Sequence, residues 1–156
     1  MRTRRNTLLI AALASLLIGT FTRPVAAEEP RTIRIAANDA MQFSVKKIQT
    51  KPGEKLRVVL TAQGSMTKTE MAHNWVLLAA GTSADGFVGQ AAMARASDYI
   101  PPAAKAQILA ATGLAGAGES VTVDFVAPDV PGTYVFLCTF PGHFAGGMKG
   151  TLIVAN

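Results

Sequence analysis

The chain has 156 residues, of which 49% are hydrophobic, and a formal net charge of +5 at pH 7. Four of its 15 basic residues fall in the first 27, so residues 28–156 carry 11 basic against 10 acidic side chains. A nearly neutral domain lacks the basic surface of a nucleic-acid-binding protein, and we exclude that class of function. The length after residue 27 suits one domain with a substantial core.

The N-terminal segment has the three parts of a secretory signal peptide. Residues 1–5 are basic, residues 7–21 are apolar and almost uncharged, and Val25-Ala26-Ala27 is a small-residue cleavage site. A helix over 7–21 spans about 22 Å, against about 30 Å for the hydrocarbon core of a bilayer, which disfavours an uncleaved membrane anchor. We predict cleavage after Ala27 and a periplasmic mature domain over residues 28–156. The pair Arg4-Arg5 leaves both the general secretory route and the twin-arginine route open.

Short apolar runs recur at regular spacing through the rest of the chain, with turns that contain Gly and Pro between them. Apolar and polar residues alternate clearly in the stretch VTVDFV at 121–126. The pattern predicts an all-β fold, a β-sandwich. The predicted strands are 32–36, 41–48, 55–62, 73–79, 107–111, 120–126, 132–139 and 149–154.

Residues 83–105 interrupt this pattern. The segment is rich in Ala and Met, and Phe87, Val88 and Ala91 have a spacing that suits one face of a helix. We expect a short helical flap between two strands that ends near Pro101-Pro102, because proline interrupts a helix.

Three kinds of soft or borderline metal ligand lie close together near the C-terminus, at Cys138, His143 and Met148. The chain has one cysteine and two histidines, the second histidine being His73. A thiolate, two imidazoles and a weak axial thioether form the ligand set of a blue copper site. A lone cysteine makes no internal disulfide, and a free thiol in an oxidising compartment is prone to oxidation, which favours a ligand role.

Three other functions use similar residues. A copper oxidase or reductase needs additional histidines, and both histidines are committed to one site, so we do not expect an enzyme. A copper chaperone or storage protein predicts Met-rich or Cys-rich clusters on exposed segments, which the sequence lacks. Zinc is an alternative metal, since Cys and His bind it well, but Met is a poor zinc ligand.

Four stretches of the chain resemble the cupredoxins of the azurin and auracyanin branch. They are CTFPGH at 138–143, MKGTL at 148–152, NDAMQF at 38–43 and HNWVL at 73–77. The resemblance covers residues 33–154. It implies a Greek-key cupredoxin sandwich with a short helical flap, and one type 1 copper per chain that cycles between Cu(I) and Cu(II) to carry single electrons.

The resemblance also implies roles for residues around the metal. The carbonyl of Ala72 would make a weak axial contact. Asn74 would tie its own segment to the Cys138 loop by hydrogen bonds, and the backbone N–H groups of Asn74 and Phe140 would point at the thiolate sulfur. The implied copper ligands are His73, Cys138, His143 and Met148.

The exposed edge of His143 would serve as the electron port, framed by the apolar side chains of Phe144, Ala145 and Met71. The expected partners are redox proteins, such as a c-type cytochrome, a copper reductase or oxidase, or a photosynthetic or respiratory complex. They would dock near His143 over a small interface that releases quickly. We expect neither a small-molecule substrate nor a nucleic acid as partner.

Overall fold

The structure, a computed structural model, describes residues 29–156. The predicted signal peptide and its cleavage site therefore lie outside the described residues. Within 29–156, no helix is long and apolar enough to cross a bilayer. The strands, in chain order, are β1 (Arg31–Asn38), β2 (Gln42–Phe43), β3 (Lys47–Thr50), β4 (Lys55–Gln63), β5 (Val76–Leu78), β6 (Ile108–Ala111), β7 (Ser120–Val126), β8 (Gly132–Leu137) and β9 (Lys149–Val154).

The strands form two mixed sheets, which confirms the predicted all-β sandwich. One sheet has four strands in the order β2-β1-β4-β7, and the other has five in the order β3-β9-β8-β5-β6. The pairs β1/β4 and β3/β9 are parallel, and the other pairs are antiparallel. Each parallel pair joins strands that are distant in sequence, as a Greek-key chain path requires.

The core lies between the two sheets and follows the alternation of the strands. In β4 the residues Leu56, Val58 and Leu60 are fully buried, while their neighbours are more accessible. The inner face of β8 contributes Phe136, which is also fully buried. Burying each large apolar side chain stabilises the fold by about 1.5–3 kcal/mol. The same cluster extends to Cys138 at one end of the sandwich, so the core holds the end at which the candidate ligands meet.

The prediction of one continuous strand over 41–48 is wrong, because the chain changes from one sheet to the other within this segment. β2 pairs with β1, whereas β3 pairs with β9 in the other sheet. Ser44 ends the first pairing, since its N–H and its hydroxyl oxygen both hydrogen-bond to the backbone of Ala36. The next residues then cross to the second sheet.

The predicted strand 73–79 begins later than expected, at Val76. His73 forms an isolated bridge with Ala115, and the N–H of Trp75 donates to the hydroxyl of Thr112 instead of to a neighbouring strand. Residues 73–75 are thereby held by loops at one end of the sheet rather than by the strand ladder.

The helical flap is present, but its helix is shorter than predicted. Helix α1 (Ala84–Ala92) begins at Ser83, whose hydroxyl oxygen accepts a hydrogen bond from the N–H of Gly86. It ends at Ala92, well before Pro101, and Met93 caps its C-terminus. Further along, the chain turns through left-handed φ angles of 53° at Asp98 and 59° at Tyr99. Short 3₁₀ turns follow the helix at Arg95–Ser97 and Pro102–Gln107.

Candidate metal centre

One loop joins β8 to β9 and carries three of the four sequence-predicted ligands. Cys138 follows β8 directly and Met148 precedes β9. The N–H of Cys138 donates to the carbonyl of Met148 over 3.1 Å, and the N–H of Met148 donates to the carbonyl of His143 over 2.9 Å. Gly142 and Gly147 allow these tight turns, because they adopt left-handed φ angles of 83° and 92°.

His73 reaches the same place from a separate loop. Its backbone exchanges two hydrogen bonds with Ala115, of 2.9 and 2.8 Å. The neighbouring Asn74 is fully buried and joins this loop to the one after β8. Its side-chain amide donates to the hydroxyl of Thr139 over 2.7 Å and accepts from the N–H of Thr139 over 2.8 Å. The two loops are therefore fastened side by side.

The structure brings His73, Cys138 and His143 together. Their potential ligand atoms all lie within 4.8 Å of one another. The Cys138 Sγ is 3.5 Å from the His143 Nδ1, and the two imidazole ring centroids are 4.9 Å apart. All three side chains are buried, with at most 2% of their surface exposed. Met148 is also fully buried and belongs to the same core cluster as Cys138.

The donor atoms of this cluster fit a metal ion. Both ring nitrogens of His73 are buried and have no hydrogen-bond partner among the described residues. A buried polar atom without a partner costs about 1–3 kcal/mol, so nearly all such atoms are paired in folded proteins. One imidazole nitrogen from each histidine and a thiol sulfur form a set suited to copper, for which a buried thioether is a further soft ligand.

The two imidazoles are in the protonation state that a metal ligand needs. Burial lowers the pKa of His73, against the opposing effect of the Asp39 charge. Burial, and then the proximity of His73, lower the pKa of His143 to about 4. Both rings are therefore neutral at pH 7, with a nitrogen lone pair free for coordination.

The Cys138 thiol, unlike the imidazoles, is not in the protonation state that a metal ligand needs. Burial raises the pKa of Cys138 to about 11, while hydrogen bonds from the backbone N–H groups of Asn74 and Phe140 act in the opposite direction. Those two N–H groups stabilise negative charge on the sulfur, but without a cation the buried thiol stays protonated at pH 7. A metal ion would supply the charge that a thiolate needs in this position.

The surface beside His143 differs from the predicted frame. Phe144 is only 9% exposed, because its ring packs into a second core cluster with Leu137 under the flap. Ala145 is exposed and Met71 is half-buried. His143 is itself only 2% exposed, so the predicted exposed edge of its ring is absent, and the ring that packs against it is that of Phe140, at 4.9 Å between centroids. Ala72 is fully buried next to His73.

Two threonines beside the site were missed in the sequence analysis. The hydroxyl of Thr139 accepts a hydrogen bond from Asn74 and its N–H donates one back, and the hydroxyl of Thr112 accepts the N–H of Trp75 over 2.9 Å. Both threonines are buried. A buried hydroxyl is recognised only when its partner is known, and these partners are distant in sequence.

The comparison with a protein-family model covers almost all of the described chain. Residues 31–155 match the family described as copper binding proteins, plastocyanin/azurin family. Auracyanin-B of Chloroflexus aurantiacus is 38% identical over 120 residues, which cover 76% of this chain but only 49% of that protein. The azurin of Achromobacter denitrificans is 36% identical over 156 residues, covering 96% of this chain and all of that protein.

Solved structures agree with the sequence relatives. A reduced auracyanin from Roseiflexus castenholzii superimposes with a TM-score of 0.72 and is 35% identical, covering 83% of this chain and all of that structure. Auracyanin B superimposes with a TM-score of 0.71 and is 34% identical, covering 84% of this chain and 94% of that structure. The chain therefore belongs to the plastocyanin/azurin family of copper-binding proteins, as an electron carrier of the blue copper class with one site for a single metal ion.

Proposed function

We propose that one copper ion is held by a ring nitrogen of His73, the Sγ of Cys138 and the Nδ1 of His143, with the thioether of Met148 as a weak axial ligand. The observation that carries this assignment is that neither ring nitrogen of His73 has a hydrogen-bond partner, although both are buried. A ring nitrogen of His73 also lies within 4.8 Å of the donor atoms of Cys138 and His143. The carbonyl of Ala72 would provide a further weak contact.

When bound, copper supplies reversible one-electron exchange between Cu(I) and Cu(II). The residues of this chain limit how much the site rearranges during that exchange. Asn74 fastens the two ligand loops through Thr139, and its N–H, with that of Phe140, donates to the sulfur. The surrounding core keeps water away from the thiol, which is fully buried. A site whose ligands are held in place suits an electron carrier rather than an enzyme with bound substrate.

Electrons would enter and leave through the loop that covers His143. This loop has exposed, uncharged residues on both sides of His143 in the sequence, namely Pro141, Gly142 and Ala145. A partner that contacts this loop would approach the imidazole closely without burying a charge. The partners would be redox proteins such as a c-type cytochrome, a copper reductase or oxidase, or a photosynthetic or respiratory complex.

The mature protein would be periplasmic and begin at Glu28. The basic, apolar and small-residue segments of residues 1–27 support this proposal. Mass spectrometry of the protein exported by a bacterial host would give the N-terminus directly. An N-terminus other than Glu28 would contradict the proposed cleavage site.

A copper titration tests the ligand assignment. Metal-free protein titrated with Cu(II) should bind one equivalent tightly, and Cys138→Ser or His73→Ala should weaken that binding by at least about 100-fold. Met93→Leu is the matched control, because Met93 is 88% exposed on the flap and should leave binding unchanged. Equal affinity in the wild type and the Cys138→Ser variant would contradict the assignment.

A further inference from the structure

The strands beside the metal-binding loop carry lysines and no carboxylates. β9 begins with Lys149, directly after Met148, and β3 begins with Lys47. The sequences of β3, β8 and β9 contain neither Asp nor Glu. These strands therefore bring positive charge to this end of the sheet, although residues 28–156 are nearly neutral, with 11 basic and 10 acidic side chains.

Lys47 and Lys149 project from the same face of the sheet. Lys47 pairs with Thr151, which lies two residues after Lys149 on β9. Side chains two residues apart on a strand share a face, so the two lysines are diagonal neighbours at a spacing of roughly 7–8 Å. Both are exposed, whereas Ile48 and Leu152 on the alternate positions are buried.

Lys149 also contacts the loop that covers the metal centre. Its Nζ lies 4.5 Å from the ring centroid of Phe144, the residue after His143. This cation–π contact holds the ammonium group at the edge of the loop. The ion pairs of the described residues are Arg31–Glu54, Arg57–Asp124 and Lys68–Glu119, so neither Lys47 nor Lys149 is neutralised by a carboxylate of its own chain.

We propose that Lys47 and Lys149 form a docking rim for redox proteins that carry a cluster of carboxylates beside their own electron-transfer centre. The inference rests on the proposed electron transfer through the His143 loop and adds the charge of the partner. Complementary charge beside an electron port accelerates the diffusional encounter, and its effect is strongest at low ionic strength. The uncharged loop next to the rim allows close approach once the partner has docked.

The test uses one cytochrome c in two forms, the unmodified basic protein and the same protein made acidic by succinylation of its lysines. The reduced cytochrome gives one electron to the oxidised, copper-loaded protein, so that haem Fe(II) becomes Fe(III) and Cu(II) becomes Cu(I). Stopped-flow absorbance gives the second-order rate constant for the wild type and for Lys47→Gln/Lys149→Gln. The control is Lys51→Gln/Lys55→Gln, which removes the same charge from exposed lysines at the opposite end of the sandwich.

With the acidic cytochrome at low ionic strength, the rate constant of Lys47→Gln/Lys149→Gln should fall by about three- to tenfold. The control should change less, because Lys51 follows the end of β3 and Lys55 begins β4, at the end of these strands away from the loop. The loss should disappear at high ionic strength, and the unmodified basic cytochrome should react with the variant as fast as with the wild type, or faster.

Equal losses in the two double variants, or no loss in either, would overturn the docking rim. An equal loss with both forms of the cytochrome would also overturn it, since the lysines would then act on the site itself rather than on partner charge. Failure of the proposed function gives a different result, because the wild type would then accept no electron from either form. Unchanged visible spectra establish that both variants keep the metal centre.

Discussion

At the scale of single residues, Asn74 is the side chain on which the arrangement of the two ligand loops depends most. Asn74 is fully buried, and both the nitrogen and the oxygen of its side-chain amide are hydrogen-bonded to Thr139. Among residues 29–156, no other side-chain hydrogen bond joins the loop of His73 to the loop of Cys138. Its loss leaves the N–H of Thr139 buried without a partner.

We therefore predict that Asn74→Ala destabilises the metal-free protein by about 2–3 kcal/mol, the cost of two hydrogen bonds and a buried unpaired donor. Urea unfolding followed by tryptophan fluorescence measures the change in the free energy of unfolding. Gln63→Ala removes an exposed amide and should cost less than about 0.5 kcal/mol. A similar small cost for Asn74→Ala would contradict the role given to this side chain.

The candidate ligands were easier to single out from the sequence than the packing around them. His73, Cys138 and His143, whose donor atoms the structure brings together, stood out because the chain has only two histidines and one cysteine. Met148 is one of six methionines and was singled out by its place five residues after His143, and its role as a ligand stays a prediction. Phe144 was misjudged as surface, since an aromatic residue beside a ligand can face the solvent or the core. Its burial depends on the flap, which is far away in sequence.

At the scale of the elements, β8 and β9 approach each other closely next to the site. A Cβ at Gly150 on β9 would overlap the Phe136 ring and lie 2.5 Å from the carbonyl oxygen of Lys46. Phe136 is fully buried and the carbonyl belongs to the backbone, so neither can move freely. The close packing of this part of the sandwich requires glycine at position 150.

Gly150→Ala should therefore destabilise the protein by about 3 kcal/mol through overpacking. Gly89→Ala is the matched control, because Gly89 lies in α1 with nothing within 4 Å of its added Cβ. It should stabilise the protein by up to about 1 kcal/mol, since alanine favours the helix. Thermal unfolding followed by circular dichroism compares the two. If Gly150→Ala left the stability of the protein unchanged, the close packing described at this position would be contradicted.

The turn between β3 and β4 is fastened to β1 by Glu54. Its carboxylate bonds to Arg31, to the hydroxyl of Thr50 and to the N–H of Lys51. The hydrogen bond from Arg31, followed by those from Thr50 and Lys51, lowers the pKa of Glu54 from 4.5 to about 2 against the effect of burial. Because the folded pKa lies below the unfolded one, the stabilisation is complete above pH 4.5 and is lost as the pH falls toward 2.

Glu54→Gln should accordingly destabilise the metal-free protein by about 1 kcal/mol at pH 7, a value that allows for solvent screening of a partly exposed pair. The difference from the wild type should shrink as the pH falls below 4.5. Asp129→Asn, at an exposed carboxylate near the same turn, is the control. Urea unfolding at several pH values gives the comparison, and a difference that does not depend on pH would contradict the account.

The strands could be predicted where they alternate between core and solvent. The predicted bounds of β7 and β9 agree with the structure. The split between β2 and β3 was missed, because both pieces keep their apolar residues while the chain changes sheets. The helix end was misplaced because residues 93–100, between the end of α1 and Pro101, contain neither glycine nor proline to mark it.

At the scale of the whole molecule, metal binding and stability are coupled. The sandwich has no disulfide among residues 29–156, and its cysteine lies in the metal centre. A ligand that binds only the folded state stabilises it, by about 4 kcal/mol when its free concentration is 1,000 times Kd. The unpartnered nitrogens of His73 make the metal-free form less stable in addition.

Removal of copper should therefore lower the melting temperature by more than about 5 °C. Differential scanning calorimetry of the copper-loaded and metal-free forms measures this shift. Cys138→Ala should melt at nearly the same temperature with and without added copper. A wild type with identical melting temperatures in both forms would contradict the coupling between the metal centre and the fold.

The measurement that tests the central claim most directly is the visible absorption and EPR spectrum of the Cu(II)-loaded protein, compared with Cys138→Ser. A buried thiolate bound to copper together with His73 and His143 should give an intense thiolate-to-copper absorption band and a narrow copper hyperfine splitting, and both should vanish in the variant. A colourless or weakly absorbing protein whose spectrum is unchanged by the substitution would show that Cys138 is not a copper ligand, and would contradict the proposed centre.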